Sequence, residues 1–164
     1  MTFSHVDGDG RAQMVDVGDK AVTRRTARAQ ARVVFPPEVY AALRAVDGVT
    51  RKGSVTDVAH IAGIMAAKQT ANLIPLCHPL PLDKVGLSFA YEDEACTLCI
   101  EAECRVAHKT GVEMEALTAA AVAALTVYDM TKAMSHEIVI ASVRLVGKRG
   151  GKRDVGDLSL FAHK

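Results

Sequence analysis

The sequence predicts one α+β domain in which helices cover a single face of an antiparallel sheet. Segments in which apolar and polar residues alternate, as in half-buried strands, are interrupted by segments whose apolar residues recur at helical spacing. The resulting order is strand, helix, strand, strand, helix, strand, with an extra short helix in the first connection. This is the split βαββαβ order of the ferredoxin-like fold, with an antiparallel four-stranded sheet. Each of the first three strands also keeps one polar face, as a sheet covered on one side requires.

The first strand begins near Ala27 and is followed by a short helix. Apolar residues occupy alternate positions in the strand: Ala27, Ala29, Ala31, Val33 and Phe35. Pro36–Pro37 predicts the start of the helix and Gly48 its end, because proline suits a first helical turn and glycine the residue after the last.

A longer helix and a proline-rich segment come next. Ser54 and Asp57 resemble a capping box, which predicts a helix that runs to about Leu73. The segment LIPLCHPLPL (73–82) then places three prolines among leucines, so it is neither ordinary helix nor ordinary strand.

The second half of the chain repeats the pattern. Alternation over 85–91 and 98–106 predicts two strands that form a hairpin around the turn YEDEA. The pattern Thr110-x-x-Glu113 is a second capping-box candidate, and the helix that it opens runs to about Met134. The last strand covers 137–146.

These elements divide the chain into three parts. Residues 1–25 are rich in glycine and aspartate and predict a flexible N-terminal arm. Residues 26–147 form a single ferredoxin-like catalytic domain, and 148–164 a flexible, basic, glycine-rich C-terminal tail. The helix before the last strand is apolar nearly all round, so its second face either contacts another subunit or exposes alanine to water; we expect an oligomer.

Composition excludes several classes of protein. The 164 residues carry a formal net charge of +1, so no overall field favours nucleic acid or a membrane surface. The N-terminus lacks the apolar core of a signal peptide, and no apolar run approaches the ~20 residues of a membrane span. A cytoplasmic protein with four reduced cysteines is expected.

The loop that contains Cys77 and His78 admits three interpretations: a metal site, a catalytic pair and a buried corner. Adjacent residues of an extended chain point to opposite sides, so these two cannot readily share a metal. Cys96 and Cys99 match a Cys-x-x-Cys spacing, but on a strand their side chains face opposite ways. No structural metal is expected.

Charged residues in apolar surroundings are the other candidates. Asp129 and Lys132 are one turn apart on a helix, either as a proton-handling pair or as a surface ion pair. Glu113 can simply cap its helix, and a second carboxylate at Glu115 also suits the helix dipole. Five basic residues from separate segments would form a polyanion pocket if the fold or an oligomer brings them together: Arg25, Lys52, Lys68, Lys132 and Lys148.

Five segments resemble the cyclic pyranopterin monophosphate synthase family, also called the molybdenum cofactor biosynthesis protein C family. They are MVDV (14–17), IAGIMAAK (61–68), LIPLCHPL (73–80), KTGVEMEALTAAAVAALTVYDM (109–130) and GGK (150–152). The resemblance implies a ferredoxin-like fold and a homohexamer, a trimer of dimers with active sites at subunit interfaces. It also implies a lyase that converts 3′,8-cyclo-7,8-dihydroguanosine triphosphate into cyclic pyranopterin monophosphate and releases pyrophosphate. No redox cofactor is implied, and whether Mg²⁺ accompanies the triphosphate stays open.

The resemblance also implies roles for individual residues. Asp129, Lys132 and Lys52 match catalytic positions, Lys52 on a mobile loop. The remaining matches are substrate-binding positions: Leu76, Cys77, His78, Glu113, Met114, Glu115, Lys68, Arg25 and Lys148. The stiff proline loop would be a wall of the nucleotide pocket, with His78 facing a substrate group.

The alternative is a ferredoxin-like nucleotide- or RNA-binding module without catalysis. Sheets that bind RNA expose aromatic residues on their central strands. The predicted polar face carries charges in their place: Arg28, Arg32, Glu101, Glu103 and Arg105. We therefore expect no nucleic-acid partner.

Overall fold

In the computed structural model, which describes residues 9–156, helices and strands follow one another in the predicted order. The strands are β1 (Thr23–Val34), β2 (Val49–Thr50), β3 (Gly53–Ser54), β4 (Lys84–Glu92), β5 (Thr97–His108), β6 (Val139–Arg149) and β7 (Val155–Gly156). The helices are α1 (Pro37–Ala45), α2 (Val55–Lys68), α3 (Thr70–Leu73) and α4 (Glu113–Thr131), and a 3₁₀ turn covers Asp93–Ala95. The predicted second helix is thus divided at Gln69 into α2 and α3.

The main sheet is antiparallel throughout, in the order β4-β5-β1-β6-β7. Among its four long strands, β1 and β5 lie in the middle, with β4 beside β5 and β6 beside β1. This order is consistent with the predicted ferredoxin-like arrangement. The prediction of four strands is wrong, because Val155–Gly156 adds a fifth strand beside Gly147 and Lys148 at the edge of β6. Two residues are too few for a periodic pattern, so the sequence did not indicate this strand.

The boundaries of the predicted arm and tail are crossed by strands. β1 begins at Thr23 and includes the last residues of the predicted arm, while β6 and β7 include residues of the predicted tail. Residues 1–8 and 157–164 lie outside the described residues. The division into arm, domain and tail stays a prediction.

Alanine lets α4 lie close to the sheet. The inward face of β1 is fully buried and consists of Ala27, Ala29, Ala31 and Val33. The alanines of α4 that are fully buried are Ala116, Ala119, Ala120, Ala123 and Ala124. Helix α4 packs on β1, β5 and β6, and α2 packs beside it over β4. The core between the helices and the sheet is therefore rich in alanine.

The all-round apolar character of α4 has a cause within the chain. The sheet buries one flank of the helix and α2 buries another, so the apolar residues that face both are covered. Leu125, by contrast, is 58% exposed. No helix among residues 9–156 has the length and apolarity needed to cross a bilayer.

One predicted helix cap is present and the other is not. Ser54 accepts a hydrogen bond from the backbone N–H of Asp57 at 3.3 Å, as expected for the start of α2. Helix α4 instead follows Val112, without a side-chain cap, and the Glu113 carboxylate accepts a hydrogen bond from Lys148. The capping box at Thr110 is therefore wrong, because α4 begins at Glu113, so Glu113 is the first residue of the helix and not the third, as the box requires.

Candidate active site

Three of the predicted catalytic residues meet at the C-terminal end of α4. The Lys132 ammonium lies 2.7 Å from Oδ1 of Asp129, and the Lys52 ammonium lies 2.9 Å from Oδ2. Lys52 also donates a hydrogen bond to the backbone carbonyl of Asp129 at 2.9 Å, and it thereby satisfies one of the free carbonyls in the last turn of α4. We call Lys52, Asp129 and Lys132 the lysine–aspartate cluster.

The two lysines determine the charge of the aspartate. Hydrogen bonds from Lys132 and Lys52 lower the pKa of Asp129 to about 2. In turn, the bond to Asp129 raises the pKa of Lys132. At neutral pH the cluster therefore holds a carboxylate between ammonium groups, and Asp129 has no proton to donate.

This cluster is more exposed than the sequence indicated. The Asp129 side chain is 56% exposed and that of Lys132 is 48% exposed. The expectation of an apolar setting is wrong, because Asp129 and Lys132 lie on the outer face of the last turn of α4, whose inner face buries Met130 and Thr131. An exposed pair contributes little to stability, so its charges are free to serve a ligand.

The proline loop forms one wall of a cavity of about 500 Å³ at the other end of α4. Six predicted substrate-binding residues line it: Leu76, Cys77, His78, Glu113, Met114 and Glu115. His78 Nε2 lies 2.9 Å from the carbonyl oxygen of Val15, which ties the loop to the MVDV segment. We call this space the proline-loop cavity.

Glu115 is the buried acid of the proline-loop cavity. It is 4% exposed, and this burial raises the pKa of its carboxyl to about 7. The hydrogen bond from its own backbone N–H has a smaller, opposite effect. Repulsion from Glu113 raises the pKa further. The neighbouring thiols stay protonated, because burial also raises the pKa of Cys77 and brings that of Cys104 to about 12.

A second cavity of about 660 Å³ adjoins the first and is strongly basic. Among the predicted residues it contains Arg25, Glu113 and Lys148. The sequence reasoning missed four other cations that line it: Lys20, Arg149, Lys152 and Arg153. We call it the basic cavity. Arg149, Lys152 and Arg153 belong to the basic, glycine-rich residues of the predicted tail, whose composition was the available signal, whereas Lys20 lies in the predicted arm and has no such signal.

The two cavities share a wall. Lys20, Thr110, Gly111, Glu113 and Lys152 line both of them. Arg25 is fixed in place by hydrogen bonds to the carbonyl oxygens of His108, at 3.3 Å, and Lys109, at 3.2 Å. Together the cavities form one elongated site, with a basic end and an end that carries His78 and Glu115.

The lysine–aspartate cluster lies far from this elongated site within one chain. Asp129 follows Glu113 by 16 residues on the continuous helix α4. At about 1.5 Å per residue, the two are separated by about 24 Å along the helix axis. Lys68 lines neither cavity and is exposed at the end of α2. The structure thus gathers the predicted residues other than Lys68 into two groups rather than one.

The cysteines give no sign of a metal centre. All four are free, and Cys99 and Cys104 are buried. Within the part of the chain that the structure describes, no group of three or more His, Cys, Asp or Glu side chains could hold a metal ion. The expectation that no metal is bound stays a prediction.

Known proteins with similar sequences were found for nearly the whole chain. The MoaC family model matches residues 14–151. Over 156 residues, the chain is 54% identical to the cyclic pyranopterin monophosphate synthase of Xanthomonas axonopodis pv. citri (strain 306), covering 94% of this chain and 93% of that protein. The protein of the same name from Nostoc sp. (strain PCC 7120 / SAG 25.82 / UTEX 2576) is 54% identical, covering 92% and 88% of the two chains. That from Syntrophomonas wolfei subsp. wolfei is 51% identical, covering 93% and 96%. The chain therefore belongs to the MoaC family.

Proposed function

We propose that this chain is a cyclic pyranopterin monophosphate synthase of molybdenum cofactor biosynthesis. Relatives with that name align with more than nine-tenths of this chain. The reaction converts 3′,8-cyclo-7,8-dihydroguanosine triphosphate into cyclic pyranopterin monophosphate and releases pyrophosphate. The observation that carries the proposal is the elongated site, in which a basic cavity for a polyphosphate adjoins a cavity with a buried carboxyl and an imidazole.

The charges of the two cavities set the orientation of the substrate. The triphosphate occupies the basic cavity, where Lys152 and Arg153 extend from the segment between β6 and β7. The purine-derived rings occupy the proline-loop cavity beside His78 and Glu115. When the α-phosphate is cyclised, negative charge grows on the departing pyrophosphate, and the cations already in place stabilise it.

Ring opening and ring closure require protons to be moved at several atoms, and the lysine–aspartate cluster supplies groups for this. Asp129 stays ionised, with a pKa of about 2, so its role is to hold the two ammonium groups in one orientation. Lys132 and Lys52 are the proton-transferring groups in this proposal. Glu115 provides a neutral acid within the site at pH below about 7.

The distance between the two groups of residues requires a second subunit. Since about 24 Å of helix separates Glu113 from Asp129, one substrate molecule cannot contact both within a single chain. We therefore propose a homohexamer, a trimer of dimers, in which the lysine–aspartate cluster of one subunit completes the elongated site of its neighbour. A stripe of exposed apolar residues on α2 supports the assembly, with Val58 40%, Ile61 61% and Met65 58% exposed at helical spacing.

Two experiments test the function and the shared site separately. Purified protein given the cyclic guanosine triphosphate intermediate should release pyrophosphate and form the pterin; no conversion would remove the proposed function. The variants Asp129→Ala and His78→Ala should each be inactive. If they are dissociated and reassembled together, mixed oligomers contain some sites with neither substitution and should regain activity, whereas each variant reassembled alone should not.

The RNA-binding alternative loses support from the sheet. On the face opposite α4, Arg28 and Arg105 lie 2.7 and 2.6 Å from Glu103, and Arg32 donates to Glu92 at 2.9 Å. Charges that neutralise one another this way leave little attraction for phosphates. The proposal includes no redox cofactor and keeps the cytoplasmic location expected from the sequence, which cell fractionation tests. Turnover measured with a chelator and with added Mg²⁺ decides whether the substrate needs that ion.

A further inference from the structure

The hairpin that carries Lys52 is held at its base and at its tip. Its strands, β2 and β3, have two residues each, and Val49 is 53% exposed. At the tip, Lys52 contacts Asp129. At the base, the Gly48 carbonyl accepts a hydrogen bond from the N–H of Val55, and the Gly48 N–H donates to the carbonyl of Leu43, both at 2.9 Å. Gly48 is buried although its chain neighbours are exposed, so the core positions the base.

Gly48 lies against the hydroxyl of Tyr91 with no room for a side chain. Its φ is +69°, and a Cβ added there would lie 2.7 Å from the Tyr91 hydroxyl oxygen. The position therefore requires glycine for its backbone conformation and again for the close approach. That hydroxyl is buried and has no hydrogen-bond partner among residues 9–156, so its contribution here is contact with the hairpin base.

The ring of Tyr91 is itself fixed from both sides. The Arg44 guanidinium lies 4.6 Å from the ring centroid, and Tyr40 meets the ring edge-on with centroids 6.0 Å apart. Asp93 links these two neighbours, because it accepts a hydrogen bond from the Tyr40 hydroxyl at 2.7 Å and lies 3.4 Å from Arg44 Nε. Residues of α1 and Asp93 therefore hold the Tyr91 ring in place, and its hydroxyl limits how closely the base of the hairpin can approach.

Resting on the proposed function, we infer that Gly48 and Tyr91 are positioning residues that determine where the hairpin places Lys52 beside Asp129. A side chain at position 48 would push the base off Tyr91, and so short a hairpin passes the displacement to its tip. A misplacement of about 1 Å in a reacting group can cost about 100-fold in rate. Neither Gly48 nor Tyr91 belongs to the five family segments quoted in the sequence analysis.

The test compares Gly48→Ala with Gly48→Ala/Tyr91→Phe. In the single variant, kcat should fall at least roughly tenfold with a smaller change in KM, because substrate binding occurs in the cavities at the other end of α4. Removing the hydroxyl leaves the added Cβ 3.8 Å from Cζ of residue 91, an ordinary contact. The double variant should therefore regain part of the lost kcat. Gly10→Ala is the matched control, since Gly10 has a φ of +79° with no atom near its missing Cβ, and it should keep the parent kcat.

A second measurement does not depend on turnover. The pKa of Asp129 can be followed by carboxyl ¹³C NMR. Because the bond from Lys52 helps to lower this pKa, it should rise in Gly48→Ala toward the value found in Lys52→Met. In the double variant it should fall back toward the value of the parent. If Gly48→Ala does not fold, Tyr91→Leu removes the contact with Gly48 without straining the backbone. It should show the same loss of kcat and the same rise in the pKa of Asp129. An unchanged kcat per folded molecule, or a double variant no better than the single one in both measurements, overturns the inference. If the parent protein does not convert the substrate, the proposed function is wrong and the titration alone decides this inference.

Discussion

Glu115 and Asp129 lie on the same helix, and their surroundings shift the pKa values of their carboxyls in opposite directions. Asp129 is exposed between two ammonium groups, which lower its pKa to about 2. Glu115 is buried, and this burial is the main cause that raises its pKa to about 7. Two carboxyls whose surroundings push their pKa values apart are typical of sites that need both a fixed anion and a proton donor.

Glu115→Gln should change how stability depends on pH. The folded-state pKa of about 7 exceeds the ordinary 4.5, so the folded state binds more protons than the unfolded state between these values. Stability of the parent therefore falls as the pH rises from about 4.5 to 7, and glutamine removes this fall. Between pH 5 and pH 8 the Tm of the parent should therefore fall by about 5–10 °C more than the Tm of the variant, as measured by thermal melts. Parallel pH profiles for the two proteins would show that Glu115 titrates normally.

Asp129→Ala and Lys132→Ala should abolish turnover without loss of stability. Both side chains are about half exposed, so neither substitution strands a buried charge. We expect kcat to fall by at least about 100-fold in each, with Tm within about 2 °C of the parent and the double variant little worse than either single one. Pyrophosphate release and melts of all three variants check this. Activity retained in the double variant would exclude the pair from the mechanism.

At the level of elements, the sequence predicted what depends on local periodicity and missed what depends on long-range contacts. Alternation and capping at Ser54 indicated the long strands and the start of α2. The box at Thr110 failed because α4 begins two residues later than the box requires, after Val112, and the Glu113 carboxylate binds Lys148 of β6. The strand Val155–Gly156 was missed because its only cause is the neighbouring edge of β6.

Gly63→Ala should destabilise the contact between α2 and α4. A Cβ there would lie 2.6 Å from Cδ2 of Leu87 and 3.0 Å from the carbonyl oxygen of Ala119. Overpacking of this kind costs about 1–3 kcal/mol, and better helix propensity returns about 1 kcal/mol, so unfolding free energy should fall by about 1 kcal/mol. Urea denaturation measures it. The control Gly86→Ala, whose Cβ would only touch Lys84 Cε at 3.6 Å, should stay closer to the parent.

On the scale of the molecule, the division of the site into two groups could have been derived from the sequence. Glu113 and Asp129 were both placed on one predicted helix, and the length of that helix already separates them. The basic cavity could not be derived, because it brings together Lys20, Arg25 and Lys152 from the two ends of the chain. The pairing of β1 with β6, and of β6 with β7, brings those segments side by side, and Thr23 also donates a hydrogen bond to the Gly150 carbonyl.

Ile61→Glu should disrupt the proposed assembly. Ile61 is 61% exposed at the centre of the apolar stripe on α2, so in a free chain a charge there costs little, whereas in a subunit contact it would be buried unpaired. Light scattering should give several times the 17.5 kDa of one chain for the parent and a smaller mass for the variant. Val46→Glu, at a residue 51% exposed elsewhere on the surface, is the control and should keep the parent mass. A parent that scatters as a single chain would contradict the shared site.

The length of α4 has a kinetic consequence. An enzyme whose site is complete within one chain has the same turnover per molecule at any dilution. Here the helix keeps the lysine–aspartate cluster about 24 Å from the cavities of its own chain, so under the proposed arrangement turnover per molecule is governed by mass action between subunits. Diluting the protein below the dissociation constant of the assembly should lower its specific activity, and rapid dilution should produce a progress curve that slows as subunits separate. Substrate bound across the contact would oppose that decay.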